Sequence, residues 1–250
     1  MKSVYRFALM LCIGGAMIAL AGCNKMVEYL EDNPTAEYTA CKIKKVSWNS
    51  VYSPMTFQYN NHGDLAGITP AEVGTGYPNR IFRYDASHRL KEYIMPYSSE
   101  NGGFELWIRY VYNNQGRVIR DTTWSFGTYG ENPANEYNKG VTTYSYDAQG
   151  RISHTHYQSI TFPQAVTDID YVYDIRGNLV VYGATYDDKI NYRRTDKVLM
   201  FIERDYSVNN IKPVGTYNQY HLPVKSIATA LTHQFLDLQT DQLNIEYKCN

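Results

Sequence analysis

Residues 144–152, Tyr-Ser-Tyr-Asp-Ala-Gln-Gly-Arg-Ile, contain one complete β-hairpin signal. The residues before Asp147 alternate between aromatic and polar, as in a strand with one buried face. Asp147 suits the first position of a type I turn, and Gly150 supplies the left-handed residue of a three-residue hairpin with a bulge. This turn type predicts that Tyr146 lies opposite Ile152 across the hairpin.

The same signal occurs five times along the chain, which indicates a repeat architecture. The copies begin at Phe57, Phe82, Tyr110, Tyr144 and Tyr171. Four copies carry Gly three residues after the Asn or Asp; the second has His88 there, and His tolerates the left-handed conformation better than most residues. The predicted facing pairs are Tyr59–Leu65, Tyr84–Leu90, Tyr112–Val118, Tyr146–Ile152 and Tyr173–Leu179. Each pair places an aromatic beside an aliphatic residue, a favourable cross-strand combination.

Consecutive hairpins form an antiparallel meander, which must hide its aromatic face while the opposite face stays wet. Further strands are predicted at residues 43–48, 197–202, 216–220 and 244–248, and a short helix at 26–31. We therefore expect an all-β, up-and-down meander of roughly 12 to 14 strands that forms a closed or nearly closed barrel. A two-sheet sandwich is the alternative.

The amino terminus has the features of a lipoprotein signal. Lys2 and Arg6 precede an apolar stretch at 7–20 that is short for a membrane span. Leu20-Ala21-Gly22-Cys23 resembles the lipobox of bacterial lipoproteins, which implies cleavage before Cys23 and its acylation. The expected division is a signal peptide at 1–22, a lipidated tether at 23–40 and a β-domain at 41–250. An ordinary secretory signal is the alternative.

Two cysteines remain once Cys12 leaves with the signal and Cys23 takes lipid. They are Cys41 and Cys249, one near each end of the β-domain. Outside the cytoplasm two remaining thiols usually pair, so we predict a Cys41–Cys249 disulfide and neighbouring first and last strands.

No residue pattern indicates an enzyme or a cofactor. The formal net charge is −1 and there is no basic run, which argues against nucleic acid as a partner. Nucleophile elbows, zinc-protease helices, phosphate loops and paired CxxC motifs are missing from the sequence. His154 and His156 share one face of a strand, but a metal would need a third ligand from a neighbouring strand. A half-buried pair that bonds tyrosine hydroxyls is the simpler interpretation, and we predict no metal.

A ligand-binding face is the more interesting hypothesis. If the register continues one step beyond each turn, Glu92, Arg120 and His154 lie among the aromatic side chains, and such a mixture suits a small-ligand or glycan pocket. The alternative is a bulge that turns these residues outward. The candidate ligand-binding residues are Tyr84, Glu92, Tyr112, Arg120, Tyr144, His154 and His156.

The hairpin repeats resemble the YD repeats of large bacterial surface and toxin proteins. A closer resemblance, over nearly the whole mature chain, is to a family of small bacterial lipoproteins of unknown function with a porin-like fold. It is carried by the lipobox, the hairpin repeats and residues 201–210, 217–223 and 245–249. The resemblance implies an antiparallel barrel on a lipid anchor and brings no catalytic residues.

These observations predict a lipid-anchored, non-enzymatic envelope protein that binds an extracytoplasmic ligand, with a glycan as the leading candidate. The alternative is a structural or accessory scaffold for an outer-membrane protein complex. Asn24 differs from the Asp that retains some lipoproteins in the inner membrane, so we expect the outer membrane of a Gram-negative bacterium, at either its periplasmic or its cell-surface face.

Overall fold

The fold is built almost entirely from antiparallel strands. The computed structural model describes residues 25–48, 54–98, 102–212, 214–227 and 242–250. The predicted signal peptide, Cys23 and Asn24 lie outside these residues. The strands are β1 (Cys41–Trp48), β2 (Met55–Tyr59), β3 (Leu65–Pro70), β4 (Arg80–Tyr84), β5 (Leu90–Pro96), β6 (Gly102–Tyr112), β7 (Val118–Tyr129), β8 (Asn138–Tyr146), β9 (Ile152–Ser159), β10 (Val166–Asp170), β11 (Tyr186–Ile190), β12 (Asn209–Ile211), β13 (Val214–Tyr217), β14 (Pro223–Ile227) and β15 (Gln242–Cys249). The helical elements are α1, described over 25–32, a 3₁₀ turn (Tyr192–Thr195) and α2 (Lys197–Glu203).

One sheet of 13 strands contains the repeats. Its order is β10-β9-β8-β7-β6-β5-β4-β3-β2-β1-β15-β14-β13, while β11 and β12 pair separately. The predicted all-β antiparallel meander is therefore confirmed. The sheet is not closed: it ends on β10 and β13, and no ladder joins these edges among the residues that the structure describes.

The predicted hairpin register is confirmed. Tyr59, Tyr84, Tyr112 and Tyr146 lie opposite Leu65, Leu90, Val118 and Ile152, each beside a bulge. In the fifth copy the Tyr173–Leu179 pair is an isolated bridge. The turn glycines Gly63, Gly116, Gly150 and Gly177 all have positive φ, and His88 takes the same conformation at φ 58°. The turn thus fixes the register even where Gly is replaced.

A ladder of tyrosine hydroxyls explains why the second aromatic is Tyr in the second, third and fourth repeats. Tyr84 donates to the carbonyl of Leu65, Tyr112 to that of Leu90, and Tyr146 to that of Val118, each at 2.7 Å. The second, third and fourth hairpins are therefore each bonded to the aliphatic residue of the hairpin before them. The first aromatic of the repeat makes no such bond, so Phe serves there at Phe57 and Phe82.

We expect Tyr112→Phe to lower the free energy of unfolding by about 1–2 kcal/mol, because it leaves the Leu90 carbonyl without this donor. Tyr110→Phe is the matched control, since the Tyr110 hydroxyl has no hydrogen bond to the described residues. Its effect should stay below about 0.5 kcal/mol. Urea unfolding of both variants measures the difference, and equal losses would contradict the role of the ladder.

The buried face of the sheet packs around residues 192–203, which we call the plug. Tyr192, Val198 and Leu199 of the plug share one core with side chains from β1 to β7 and from β15. Met200 packs with Ile152 and Tyr206 in an adjoining cluster. One short segment therefore packs against many strands of the sheet.

The strand predicted at 197–202 is wrong, because this segment is the helix α2. The side chain of Asp196 accepts a hydrogen bond from the Val198 amide at 2.9 Å and caps the helix. Residues 198–202 are all apolar, and a short apolar run without alternation fits a buried helix as well as a strand. The strands predicted at 43–48 and 244–248 are confirmed as parts of β1 and β15. The short helix predicted at 26–31 lies within α1.

The two ends of the β-domain are joined. Cys41 lies opposite Cys249 in the β1–β15 ladder, and the two form a disulfide, as predicted. Leu30 of α1 is fully buried beside this pair, in a cluster with Ile190 and Leu222. The amino-terminal helix is thus part of the folded body.

The sheet face that points away from the plug is less exposed to solvent than predicted. Trp107 alternates with the core residues Leu106 and Ile108, yet it is fully buried in a second apolar cluster. The guanidinium groups of Arg83 and Arg109 lie 5.7 and 5.6 Å from its ring. Arginine side chains that pack over a tryptophan ring cover it through cation–π contacts. A sheet face with a charged sequence pattern can therefore bury an apolar cluster.

Candidate functional site

A cavity lies at the turn ends of the second, third and fourth hairpins. Its volume is about 480 Å³. The hairpins supply Arg89, Tyr112, Arg117 and Tyr146, and the other wall comes from the plug and nearby residues. Those other lining residues include Thr35, Lys197, Val198, Met200, Phe201 and Tyr206. The repeat and the plug together therefore form the site.

The tyrosines of the cavity are held in place by the hydroxyl ladder. Tyr112 and Tyr146 each donate to a main-chain carbonyl, so their rings have fixed orientations. Burial raises the pKa of each hydroxyl to about 12, and both remain neutral at physiological pH. They form rigid aromatic walls of the cavity.

The plug wall is fixed by ring contacts to the sheet. The ring of Phe201 lies 5.3 Å from that of Tyr110 and 5.7 Å from that of Tyr144, measured between centroids. These are ordinary separations for aromatic pairs. The wall is therefore preorganised before any ligand arrives.

The charge of the cavity is one-sided. Its lining includes Arg89, Arg117 and Lys197, and among the described residues no Asp or Glu side chain lines it. The guanidinium of Arg89 is bonded to Asp85 just outside, at 2.8 Å. The cavity thus combines aromatic rings with cationic groups, a lining suited to a polar ligand with flat apolar faces.

Three predicted ligand-binding residues lie on the buried face, but only Tyr112 lines the cavity. The hydroxyl of Tyr84 is bonded to the Leu65 carbonyl. That of Tyr144 is bonded to the Asp121 carboxylate, and burial raises the pKa of this acid. Tyr84 and Tyr144 therefore have structural partners.

The prediction that Glu92, Arg120 and His154 share the face of the tyrosines is wrong. They lie opposite Arg83, Val111 and Ser145, which alternate with the buried aromatics. The bulge beside each turn shifts the register by one residue and moves them to the other face. The bulge alternative therefore describes the structure.

Glu92 has a structural role on that other face. Its carboxylate accepts hydrogen bonds from Arg83, Arg109 and the indole of Trp107. Although burial opposes the charged form, these bonds lower the pKa of Glu92 below its ordinary value. Arg120 is exposed.

His154 and His156 form ion pairs with the edge strand β10. His154 lies 2.8 Å from Asp170, and His156 lies 2.8 Å from Asp168, measured between Nδ1 and a carboxylate oxygen. Across the part of the chain that the structure describes, no group of three or more His, Cys, Asp or Glu side chains is arranged to hold a metal. The partners of both histidines are carboxylates and not the tyrosine hydroxyls that the sequence suggested.

These pairs predict a pH window for the attachment of β10. The bond to Asp170 raises the pKa of His154 above 6.5, so its contribution is complete below pH 6.5 and is lost as the pH rises through the raised value. The bond from His156 lowers the pKa of Asp168 below 3.8, so that contribution is complete above pH 3.8 and is lost on acidification through the lowered value.

Amide hydrogen exchange in β10, corrected for the intrinsic rate, should therefore show greater protection at about pH 5 than at about pH 8. His154→Gln removes the titrating group and should flatten the difference. Wild-type protection that increases from the acidic to the alkaline condition would contradict this interpretation.

Sequence reasoning missed Arg117, Lys197, Phe201 and Tyr206 as cavity residues. The last three belong to or follow a segment predicted as a strand, so nothing placed them beside the turns. For Arg117 the sequence does contain an indication. The residue four positions before it is Asn113, whereas the second and fourth hairpins have Asp at that position before their Arg.

Comparison with protein-family models and with curated proteins finds no match for this chain. No helix in the described ranges combines the length and the apolar character needed to span a membrane.

Proposed function

We propose that this protein is a lipid-anchored, non-enzymatic envelope protein that binds an extracytoplasmic glycan in the cavity at the hairpin turns. The observation that carries the proposal is the cavity of about 480 Å³, lined by Tyr112, Tyr146 and Phe201 together with cationic side chains. Aromatic walls with a few placed polar groups suit ligands of this size.

Rigidity supports a binding role. The hydroxyl bonds of Tyr112 and Tyr146 and the ring packing of Phe201 fix the walls without a ligand. A preformed site loses little conformational entropy when it binds, and this favours the modest contacts that a sugar makes.

A glycan array probed with the full chain in detergent tests the proposal. We expect binding to a subset of printed glycans. Titration of a bound glycan should then shift the NMR signals of amides at 87–90 and 116–118 and leave those of β10 unchanged. Binding to no glycan, or shifts confined to β10, would reject the glycan site.

The anchor is proposed from the sequence. Cys23 would carry the acyl chains, and the protein would sit on the outer membrane of a Gram-negative bacterium. Each acyl methylene buried in the membrane contributes about 0.8 kcal/mol to the free energy of membrane binding, so two or more chains anchor a protein stably. Metabolic labelling with radioactive palmitate should label the wild-type protein and not Cys23→Ser. An unlabelled wild-type protein would refute the anchor.

We also propose that the meander forms an incomplete, sandwich-like barrel around the plug. The support is that Leu199 shares one core with Ile43 of β1 and Tyr110 of β6, strands far apart in the sheet order. A sheet that contacts one short helix from so many strands must curve strongly.

A scaffold role is the second candidate, and exposed apolar residues near the open edge β10 favour it. Ile175 and Tyr182 are almost fully exposed, at 101% and 99%, and Val172 and Val180 are each 60% exposed. Clustered apolar residues beside a free strand edge are typical of protein contacts. Retention of partner binding after replacement of these four residues by Ser would remove this candidate.

A further inference from the structure

One position of the hairpin repeat carries an arginine in three consecutive turns. Arg89, Arg117 and Arg151 each stand four residues after the Asn or Asp that caps the turn. Each guanidinium lies over the tyrosine of the next hairpin. The distances from the guanidinium carbon to the ring centroid are 4.6 Å for Arg89–Tyr112, 5.7 Å for Arg117–Tyr146 and 4.0 Å for Arg151–Tyr173.

Two of these arginines have a carboxylate partner within their own turn. Arg89 Nε is 2.8 Å from Asp85, and Arg151 Nε is 2.7 Å from Asp147. In both turns the Asp cap therefore has two roles. One carboxylate oxygen binds the arginine, and the other accepts hydrogen bonds from main-chain amides. The positive charge of each arginine is neutralised locally.

The third arginine lacks this partner because its cap is Asn113. The Asn113 side-chain oxygen accepts from the amides of Gln115 and Arg117 at 3.0 Å, as the Asp caps do, so the turn is the same. An amide cannot form the ion pair, and the Arg117 side chain makes no hydrogen bond or ion pair with any described residue. Arg117 is the central arginine of the three turns around the cavity.

We infer that the glycan bound in this cavity is acidic, and that Arg117 binds its carboxylate with Lys197 as the second cation. The inference rests on the proposed glycan-binding function. A planar guanidinium matches a carboxylate in geometry, and the Asp caps already supply one carboxylate oxygen each to Arg89 and Arg151. The ligand carboxylate forms the ion pair with Arg117 that the Asn113 amide cannot form, while Tyr112 and Tyr146 contact the sugar rings.

The substitution Asn113→Asp tests this directly, since it gives Arg117 the internal partner that its siblings have. The turn is retained, because Asp fills this position in the second, fourth and fifth hairpins. The opposite change, Asp85→Asn, is the matched control: it keeps a turn cap and releases Arg89 at the same cavity. Arg117→Gln removes the charge without adding an acid.

The readout is a glycan array with uronate- and sialate-containing glycans and their neutral counterparts, probed with the full chain in detergent. Wild-type protein should bind acidic glycans, and Asn113→Asp and Arg117→Gln should weaken that binding by about tenfold or more. Asp85→Asn should bind acidic glycans at least as well as the wild type. Circular dichroism confirms that each variant is folded.

The outcomes separate the two proposals. Binding to neutral glycans alone, unaffected by Asn113→Asp, overturns the acidic ligand and leaves the glycan function in place. Binding to no glycan overturns both. An equal loss in Asn113→Asp and Asp85→Asn would show that turn disturbance, and not the charge of Arg117, controls binding, and this also overturns the inference.

Discussion

Replacing Cys41 and Cys249 by Ser is expected to lower the free energy of unfolding by about 2–5 kcal/mol. The disulfide joins residues separated by 208 positions, so it closes nearly the whole β-domain into one loop. In the chain-entropy view, a long loop restricts the unfolded chain strongly, and the two cysteines face each other in the β1–β15 ladder. Urea unfolding monitored by tryptophan fluorescence measures the loss.

A reductant provides the control. Dithiothreitol should lower the stability of the wild-type protein to that of the double variant and leave the double variant unchanged. Equal stability of the oxidised wild type and the double variant would show that the β1–β15 ladder alone holds the ends together.

Arg194→Met is expected to lower the free energy of unfolding by about 3–5 kcal/mol. Arg194 is fully buried, and its guanidinium donates to main-chain carbonyls on two separate segments. The acceptors are Pro34 at 2.6 Å, Ala36 at 3.2 Å, Ser207 at 3.2 Å, and Tyr206. Methionine fills similar space but leaves these buried carbonyls without donors, which is costly in an apolar interior.

Arg120→Met is the matched control, because Arg120 is exposed on the outer sheet face. Its effect should stay within about 0.5 kcal/mol. Since Arg194 connects the chain after α1 to the plug, Arg194→Met should also speed proteolysis at residues 33–40. A change in stability no larger than that of Arg120→Met would contradict this role.

The repeat made much of the fold predictable. Asp147 and Gly150 specify a turn with one preferred register, and the same chemistry at the other turns gave the facing pairs and the meander. The disulfide followed from the count of remaining thiols. These features depend on residues close in sequence, where local conformational preferences are strong.

The remaining features depend on contacts between distant segments. Lys197–Glu203 has no alternation that separates a helix from a strand, and its capping by Asp196 is evident only in three dimensions. Trp107 is covered by Arg83 of β4 and by Arg109 of its own strand β6, so a sheet face with a polar sequence pattern carries a second apolar cluster. The cavity required the plug to be placed beside the turns, and no local pattern gave that position.

The site and the fold share one physical origin. Tyr112 and Tyr146 are bonded to the preceding hairpins as part of the ladder, and the same rings become cavity walls where the turns meet the plug. A repeat that stabilises the sheet thus also supplies a rigid aromatic surface. Variation at one cap, Asn113, then changes the charge that this surface presents.

The shared tyrosine face is tested most directly by NMR of a deuterated sample with protonated tyrosine rings and protonated Leu and Val residues. We expect each ring of the ladder to contact two hairpins: Tyr112 should give nuclear Overhauser effects to Val118 of its own hairpin and to Leu90 of the preceding one. Tyr84 should do the same with Leu90 and Leu65. Contacts confined to a single hairpin would contradict the account.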